Sequence, residues 1–227
     1  MLIGGFQKMT MLDYPGKVAA TIFTYGCNFR CPFCHNATLV IDEAQLFSED
    51  EILSYLNKRK GILDGVCITG GEPLLQHDIF DFIEKVRETG LLIKLDTNGS
   101  YPDKLKEAID RGLVDYVAMD IKTSEENYSR VADTNVKIED IKKSVRILLE
   151  NKVDYEFRTT VVRELHTKED FEKISMWIKG AKRYFLQCFK DSENLIGNNL
   201  SAYTPLELEG FSEVLKNNIN EVNIRGI

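Results

Sequence analysis

The sequence predicts an α/β fold built from six consecutive β/α units. Short apolar, β-rich runs alternate along the chain with segments whose apolar residues recur at helical spacing. Such an order implies parallel strands joined by right-handed crossovers. Six units are two short of a closed eight-fold barrel, so an open sheet and an incomplete barrel both fit.

Residues 1–17 read as an N-terminal extension with a turn at Asp13-Tyr14-Pro15-Gly16. Residues 18–24 form the first strand and lead directly into Gly26-Cys27. Ser48 and Glu51 have capping-box spacing and open a helix with Ile52, Leu53 and Leu56 on one face. Residues 65–69 are the second strand, followed by Gly70-Gly71-Glu72-Pro73 and a helix carrying Ile79, Phe80, Ile83 and Val86. The third strand, 91–95, runs into Asp96-Thr97-Asn98-Gly99, and Leu105, Ala108 and Ile109 mark the next helix. The fourth strand, 114–119, ends in Asp120-Ile121-Lys122. Residues 123–137 are polar and read as a loop with at most one helical turn, before a helix on Ile138, Ile141, Val145 and Leu148. Strand five is 153–161, and a helix opened by Thr167 and Asp170 turns Phe171, Ile174, Trp177 and Ile178 inward. Strand six is 184–189. In the C-terminal part, 190–227, Thr204-Pro205 and Glu207 cap a last helix, and Glu221–Arg225 reads as a terminal strand.

The chain of 227 residues suits one large α/β domain spanning 1–227 better than two small ones. Apolar and charged contents of 43% and 29% are ordinary for a soluble globular protein. No apolar run approaches the roughly 18–20 residues a membrane span needs. A net charge of −7 argues against nucleic acid as a partner. There is no repeat, low-complexity segment or linker, and no basic stretch followed by an apolar one at the N-terminus. The expectation is a cytoplasmic, reduced protein without nucleic-acid or membrane partners, whose thiols stay available for metal.

Three of the five cysteines, Cys27, Cys31 and Cys34, fall within eight residues, a density that packing does not explain. Iron–sulfur clusters are held by cysteine thiolates, usually four. Three thiolates leave one iron of a 4Fe–4S cubane open, as catalytic metal centres require. A zinc site completed by His35, Cys67 or Cys188 is the alternative; an odd cysteine count speaks against disulfides. Cys27, Gly70, Gly71, Glu72, Asp96, Thr97, Asn98, Asp120 and Lys122 all sit at or just after the C-terminal end of a strand. That is the edge where α/β active sites form. On strand five, alternation sends either Arg158 and Thr160 or Phe157 and Thr159 inward.

The cysteine spacing, with Phe33 before the third cysteine, together with Gly70-Gly71-Glu72, resembles the radical S-adenosylmethionine superfamily. The stretch from Met9 through Asp13-Tyr14-Pro15-Gly16-Lys17, then Gly26-Cys27-Asn28 through Cys34-His35-Asn36, is similar to activating proteins of anaerobic ribonucleoside-triphosphate reductases. The similarity covers roughly residues 4–189. It implies a radical S-adenosylmethionine core, an incomplete (β/α)6 TIM-like barrel. It also implies a 4Fe–4S cluster on Cys27, Cys31 and Cys34, with S-adenosylmethionine on the open iron through its amino and carboxylate groups. Gly70, Gly71 and Glu72 then belong to the loop that receives the cofactor's ammonium. Asp96, Thr97, Asn98, Asp120 and Lys122 line its site, and Arg158 is a cofactor contact or a structural ion pair. Phe33, His35 and Asn36 are cofactor neighbours, His35 shaping the adenine pocket. In such enzymes a monovalent cation can sit against the cofactor carboxylate, here on Asp96, Thr97 and Asp120.

The reaction implied is one-electron cleavage of the sulfonium to methionine and a 5′-deoxyadenosyl radical, which takes hydrogen from a glycine of a partner glycyl radical enzyme. The partner would be anaerobic ribonucleotide reductase, with flavodoxin or ferredoxin as electron donor. Many pyruvate formate-lyase-type activators carry a histidine where this chain has Gln187-Cys188-Phe189, which suggests a different subgroup. Cys67 and Cys188 read as small buried strand residues with no neighbours for a second cluster, and His77 and His166 form no metal set. The rival readings are a small-molecule enzyme resembling 7-carboxy-7-deazaguanine synthase and a zinc-binding interaction module.

Overall fold

The computed structural model describes residues 1–41, 45–192 and 194–227. Its one eight-stranded sheet follows chain order: β1 (Ile3–Thr10), β2 (Ala19–Thr24), β3 (Gly65–Gly70), β4 (Leu92–Thr97), β5 (Tyr116–Asp120), β6 (Asp154–Val161), β7 (Arg183–Cys188) and β8 (Glu221–Arg225). The connections carry α1 (Ala37–Val40), α2 (Glu49–Lys58), α3 (Ile79–Arg87), α4 (Pro102–Asp110), α5 (Tyr128–Val131), α6 (Ile138–Leu149), α7 (Lys168–Trp177) and α8 (Pro205–Lys216). Strands β2 to β8 are parallel throughout, and among the described residues no ladder joins β8 back to β1. The sheet is therefore an open, incomplete barrel. No helix among the described residues is long and apolar enough to cross a membrane.

Parallel strands covered on both faces usually read as continuous apolar runs. Here they alternate. Ala20, Ile22, Val66, Ile68, Ile93, Leu95, Val117, Met119, Phe157 and Leu186 join the core beneath the helices. Thr21, Cys67, Lys94, Asp96, Glu156 and Arg158 occupy the positions between them, on the other face. On α3, Ile79, Phe82, Ile83 and Val86 are buried, at about 1.5–3 kcal/mol each. Phe82 takes the core position expected of Phe80, which lies at the edge with the Arg111 guanidinium 5.2 Å from its ring centre.

Three further expectations need correction. The N-terminal extension contains a strand: β1 runs antiparallel to β2 at the sheet edge. Its sequence, IGGFQKMT, lacks β-branched density and is half-exposed, so it carries little strand signal of its own. Tyr14, in the loop after β1, packs on Ala19 and Tyr116, and Asp13 accepts a 2.6 Å hydrogen bond from the Thr21 hydroxyl. The turn thus closes the lower end of the sheet's polar face. At α2 the capping box does not form, because Ser48 and Glu51 are both exposed and the Ser48 side chain caps nothing. The boxes at Thr167 and Thr204 are complete. Residues 123–137 are more ordered than a loop: a 3-10 turn (Glu125–Asn127) leads into α5. Thr123, Ser124, Tyr128, Val131 and Ala132 are buried there, with Ser124 donating to Asp170 at 2.5 Å.

The terminal strand is tied to the sheet by charge. Glu156 is wholly buried and accepts two bonds from the Arg225 guanidinium, at 2.8 and 2.9 Å, and one from the Tyr116 hydroxyl at 2.9 Å. Removing one partner of a buried pair strands the other's charge. Arg225→Ala should therefore lower the unfolding free energy in denaturant titrations by about 3 kcal/mol or more. A loss under about 1 kcal/mol would place Glu156 in water and contradict the pairing.

Candidate active site

Strand β2 delivers the chain to Gly26, whose positive φ of 91° turns it into the cysteine loop. The loop is fastened at several points. Gly26 N–H donates to the Leu39 carbonyl at 2.8 Å, and Cys34 N–H to the Cys31 carbonyl at 3.0 Å. Arg30 N–H donates to the Ala132 carbonyl at 2.9 Å, and Gly197 N–H to the Pro32 carbonyl at 2.7 Å. Cys31 is buried, while Cys27 and Cys34 are half-buried. Burial pushes the thiols up, Cys27 to about 11 and Cys31 to about 12, against the Phe29 N–H that donates to Cys27 Sγ at 3.4 Å. Metal loading at these sulfurs must therefore displace protons. All three open onto one cavity of about 180 Å³.

Glycine is required at two positions where this loop meets the next. Gly70 has φ +107°, and a Cβ there would run into the Thr24 backbone; at Gly71 it would run into the Gly26 carbonyl oxygen. The close approach lets Gly71 N–H donate to Thr24 and Glu72 N–H to Gly26, each at 2.9 Å. Asn36 completes the contact, donating to the Gly70 carbonyl at 3.1 Å.

Glu72 does not face the cavity. Its carboxylate is fully buried and accepts from Leu74 N–H (3.0 Å), the Thr97 hydroxyl (2.8 Å) and Asn98 N–H (2.7 Å). Burial pushes the carboxyl up to about 7, with the three donors pulling the other way. Glu72 thus ties the loop after β3 to the loop after β4. Asn98 passes the tie onward, donating to Asn28 Oδ1 at 2.9 Å beside Cys27.

Under the cavity lies a ladder of alternating charges. Lys94 pairs with Asp96 Oδ1, and Arg158 reaches Asp96 Oδ2 at 3.0 Å and Asp120 Oδ1 at 2.5 Å. Lys122 closes it on Asp120 Oδ2 at 2.8 Å, its ammonium 5.8 Å from the Phe33 ring centre. Opposite charges about 4 Å apart attract by about 4 kcal/mol at an effective dielectric of about 20, so each neighbour offsets much of its partner's desolvation. Burial pushes the Asp96 and Asp120 carboxyls up, but their cations more than reverse it and hold both below the usual carboxylate range. Both stay ionised.

The cavity wall includes Cys27, Cys31, Phe33, Cys34, His35 and Asn36 from the first loop and Gly70 and Gly71 from the second. Asp96, Thr97, Asn98, Asp120, Lys122 and Arg158 complete it, so every residue expected there is present except Glu72. Alternation on β6 resolves in favour of Arg158 and Thr160 facing in. His35 sits at the rim, its ring 6.0 Å from Phe189. Cys67 is fully buried as expected; Cys188 is only half-buried. Sequence reasoning missed Thr69, which donates to Asp96 at 3.1 Å, and Lys94. It also gave no role to His166, which is buried, donates from Nε2 to the Lys122 carbonyl at 2.7 Å and lies edge-on to Phe33. The signal for Lys94 was a lysine inside the apolar run Leu-Leu-Ile-Lys-Leu, since lysine is rarely buried unless paired.

Glu72→Ala leaves two backbone N–H groups and a hydroxyl buried without an acceptor, at about 1–3 kcal/mol each. Denaturant unfolding should show a loss above about 3 kcal/mol; a loss below about 1 kcal/mol would mean the loops hold together without it.

With this geometry established, the similarities of the chain can be placed. The radical SAM superfamily model matches residues 21–178. A Methanocaldococcus jannaschii protein provisionally named a glycyl-radical enzyme activating enzyme is 33% identical over all of this chain and 96% of its own length. The pyruvate formate-lyase-activating enzyme of Clostridium pasteurianum is 32% identical over 53% of this chain and 52% of its own. In fold, the chain superposes on Streptococcus suis SuiB bound to S-adenosylmethionine with a TM-score of 0.71 over 89% of this chain and 48% of that one, at 14% identity. The chain belongs to the radical SAM superfamily and, within it, to the glycyl-radical-enzyme activating enzymes.

Proposed function

We propose that the chain is an activase that cleaves S-adenosylmethionine reductively at a 4Fe–4S cluster on Cys27, Cys31 and Cys34 and places a glycyl radical on anaerobic ribonucleoside-triphosphate reductase. The supporting observation is convergence: three clustered thiols share one cavity with the two-glycine loop, Asn98 and the charge ladder.

The donor set fits the cluster. Three thiols from one loop leave a fourth iron open. Zinc ligands must come within about 2.0–2.3 Å of a single point, and among the described residues no three His, Cys, Asp or Glu side chains converge to hold one ion. When bound, the reduced cluster would supply one electron to the cofactor's sulfonium, whose C–S bond would break to give methionine and a 5′-deoxyadenosyl radical able to take a hydrogen atom from a glycine.

The chain's own residues bind and orient. Gly70 and Gly71 let the loop after β3 close on Thr24 and Gly26, which sets its backbone in the cavity wall for the cofactor's ammonium. Arg158 and Lys122, on the cavity wall, present donors toward its carboxylate. His35, against Phe189, borders the adenine. Phe29, Phe33 and Val40 supply apolar wall that keeps water from the reacting atoms. Flavodoxin or ferredoxin delivers the electron, in an anaerobic cytoplasm.

Anaerobic reconstitution should yield about four iron and four sulfide per chain. Reduction with S-adenosylmethionine present should then yield 5′-deoxyadenosine. Cys27→Ala, Cys31→Ala and Cys34→Ala should each abolish cleavage, while Cys188→Ala keeps it. One zinc, no labile sulfide and no 5′-deoxyadenosine would contradict the reading. Electron paramagnetic resonance of the reductase after co-incubation should show a glycyl radical; a radical on a different glycyl enzyme would correct the partner.

A further inference from the structure

Activating enzymes of this kind were expected to seat a monovalent cation on Asp96, Thr97 and Asp120. The residues present do not fit one. Asp96 Oδ1 takes the Lys94 ammonium, with Cys67 Sγ at 3.7 Å; Oδ2 takes Arg158 at 3.0 Å and the Thr69 hydroxyl at 3.1 Å. Asp120 offers Oδ1 to Arg158 and Oδ2 to Lys122 at 2.8 Å. The Thr97 hydroxyl donates to Glu72 and accepts from Gly99 N–H at 3.1 Å. Each side-chain oxygen of the three residues already faces at least one donor. Within the ladder itself three side-chain cations stand against two carboxylates, and the next carboxyl, Glu72, is turned to the Leu74, Thr97 and Asn98 donors, so a further cation meets repulsion from the ladder.

Lys94 decides the balance. Its side chain is 2% exposed and lies on the sheet's polar face, in register with Cys67 and Tyr116. Without it, Arg158 and Lys122 would exactly match the two carboxylates in number, and the floor would carry no net charge. With it, the floor keeps one positive charge that water cannot screen.

We propose that the Lys94 ammonium and Arg158 guanidinium stand in place of the monovalent cation, giving the floor a built-in positive charge that receives the cofactor's carboxylate without potassium or sodium. Lys94 acts through Asp96 and is a positioning residue. The inference rests on the functional reading above, since it concerns how that site binds S-adenosylmethionine.

The test compares potassium, sodium and tetramethylammonium chloride at equal ionic strength. S-adenosylmethionine affinity of the cluster-loaded protein is measured by equilibrium dialysis, and thermal unfolding of the cluster-free chain is followed in the same salts. Wild-type affinity should agree within about twofold in all three, and the melting temperature within about 1 °C. Affinity lost by about fivefold or more in tetramethylammonium, or potassium-specific stabilisation above about 3 °C, overturns the proposal. Lys94→Met should bind about tenfold more weakly in tetramethylammonium and recover in potassium or sodium. Equal binding by Lys94→Met in all three salts would remove Lys94 from the role. The wild-type arm needs no variant to fold. Absence of binding in every salt contradicts the functional reading itself, whereas binding confined to potassium or sodium contradicts this inference alone.

Discussion

Five charged side chains lie under the cavity, and each is paired with at least one neighbour of opposite sign. Lys94, Asp96, Arg158, Asp120 and Lys122 come from β4, β5, β6 and the second residue beyond β5, so the ladder crosses three adjacent strands. Charges buried singly would each cost several kcal/mol, which makes the alternation of sign a condition for the fold. It also explains why this parallel sheet departs from continuous apolar runs. The face toward the helices is apolar and carries the hydrophobic core; the other face is polar because a ligand site must have donors and fixed charge. Glu156 with Arg225 and Tyr116 repeats the device nearer the closed end.

Above the ladder, the strand ends meet through contacts that only glycine allows. Gly71 against Gly26 and Gly70 against Thr24 bring the cysteine loop to the loop after β3, and Glu72 binds both to the loop after β4. His166 supports the same wall from beneath, holding the Lys122 carbonyl while packing on Phe33 and Phe171. The cysteines are thus presented by a frame of backbone hydrogen bonds. Their loop is not left to its own flexibility, which suits the cluster proposed for it.

The parts of this arrangement that were legible in the sequence are those with local signals. Strand-end polar motifs, helical spacing and two of three capping boxes depend on neighbours in sequence, and all the expected cavity residues but Glu72 lie where those signals put them. What escaped is non-local. Glu72 turns inward because Thr97 and Asn98, twenty-five and twenty-six residues away, offer donors. Lys94 is tolerated in a strand only because Asp96 and Cys67 share its face. β1 is held by pairing with β2, not by its own propensity, and the 123–132 segment is ordered by Asp170 and by packing of Tyr128. Each depends on a partner that spacing does not reveal.

As proposed, the three-cysteine cavity holds a cluster with one open iron that binds S-adenosylmethionine. Mössbauer spectroscopy of iron-57-reconstituted protein, with and without S-adenosylmethionine, tests it most directly. The cofactor should alter the signal of one iron in about four and leave the others unchanged. An unchanged spectrum, or a protein that takes up a single zinc in place of iron and sulfide, would contradict it.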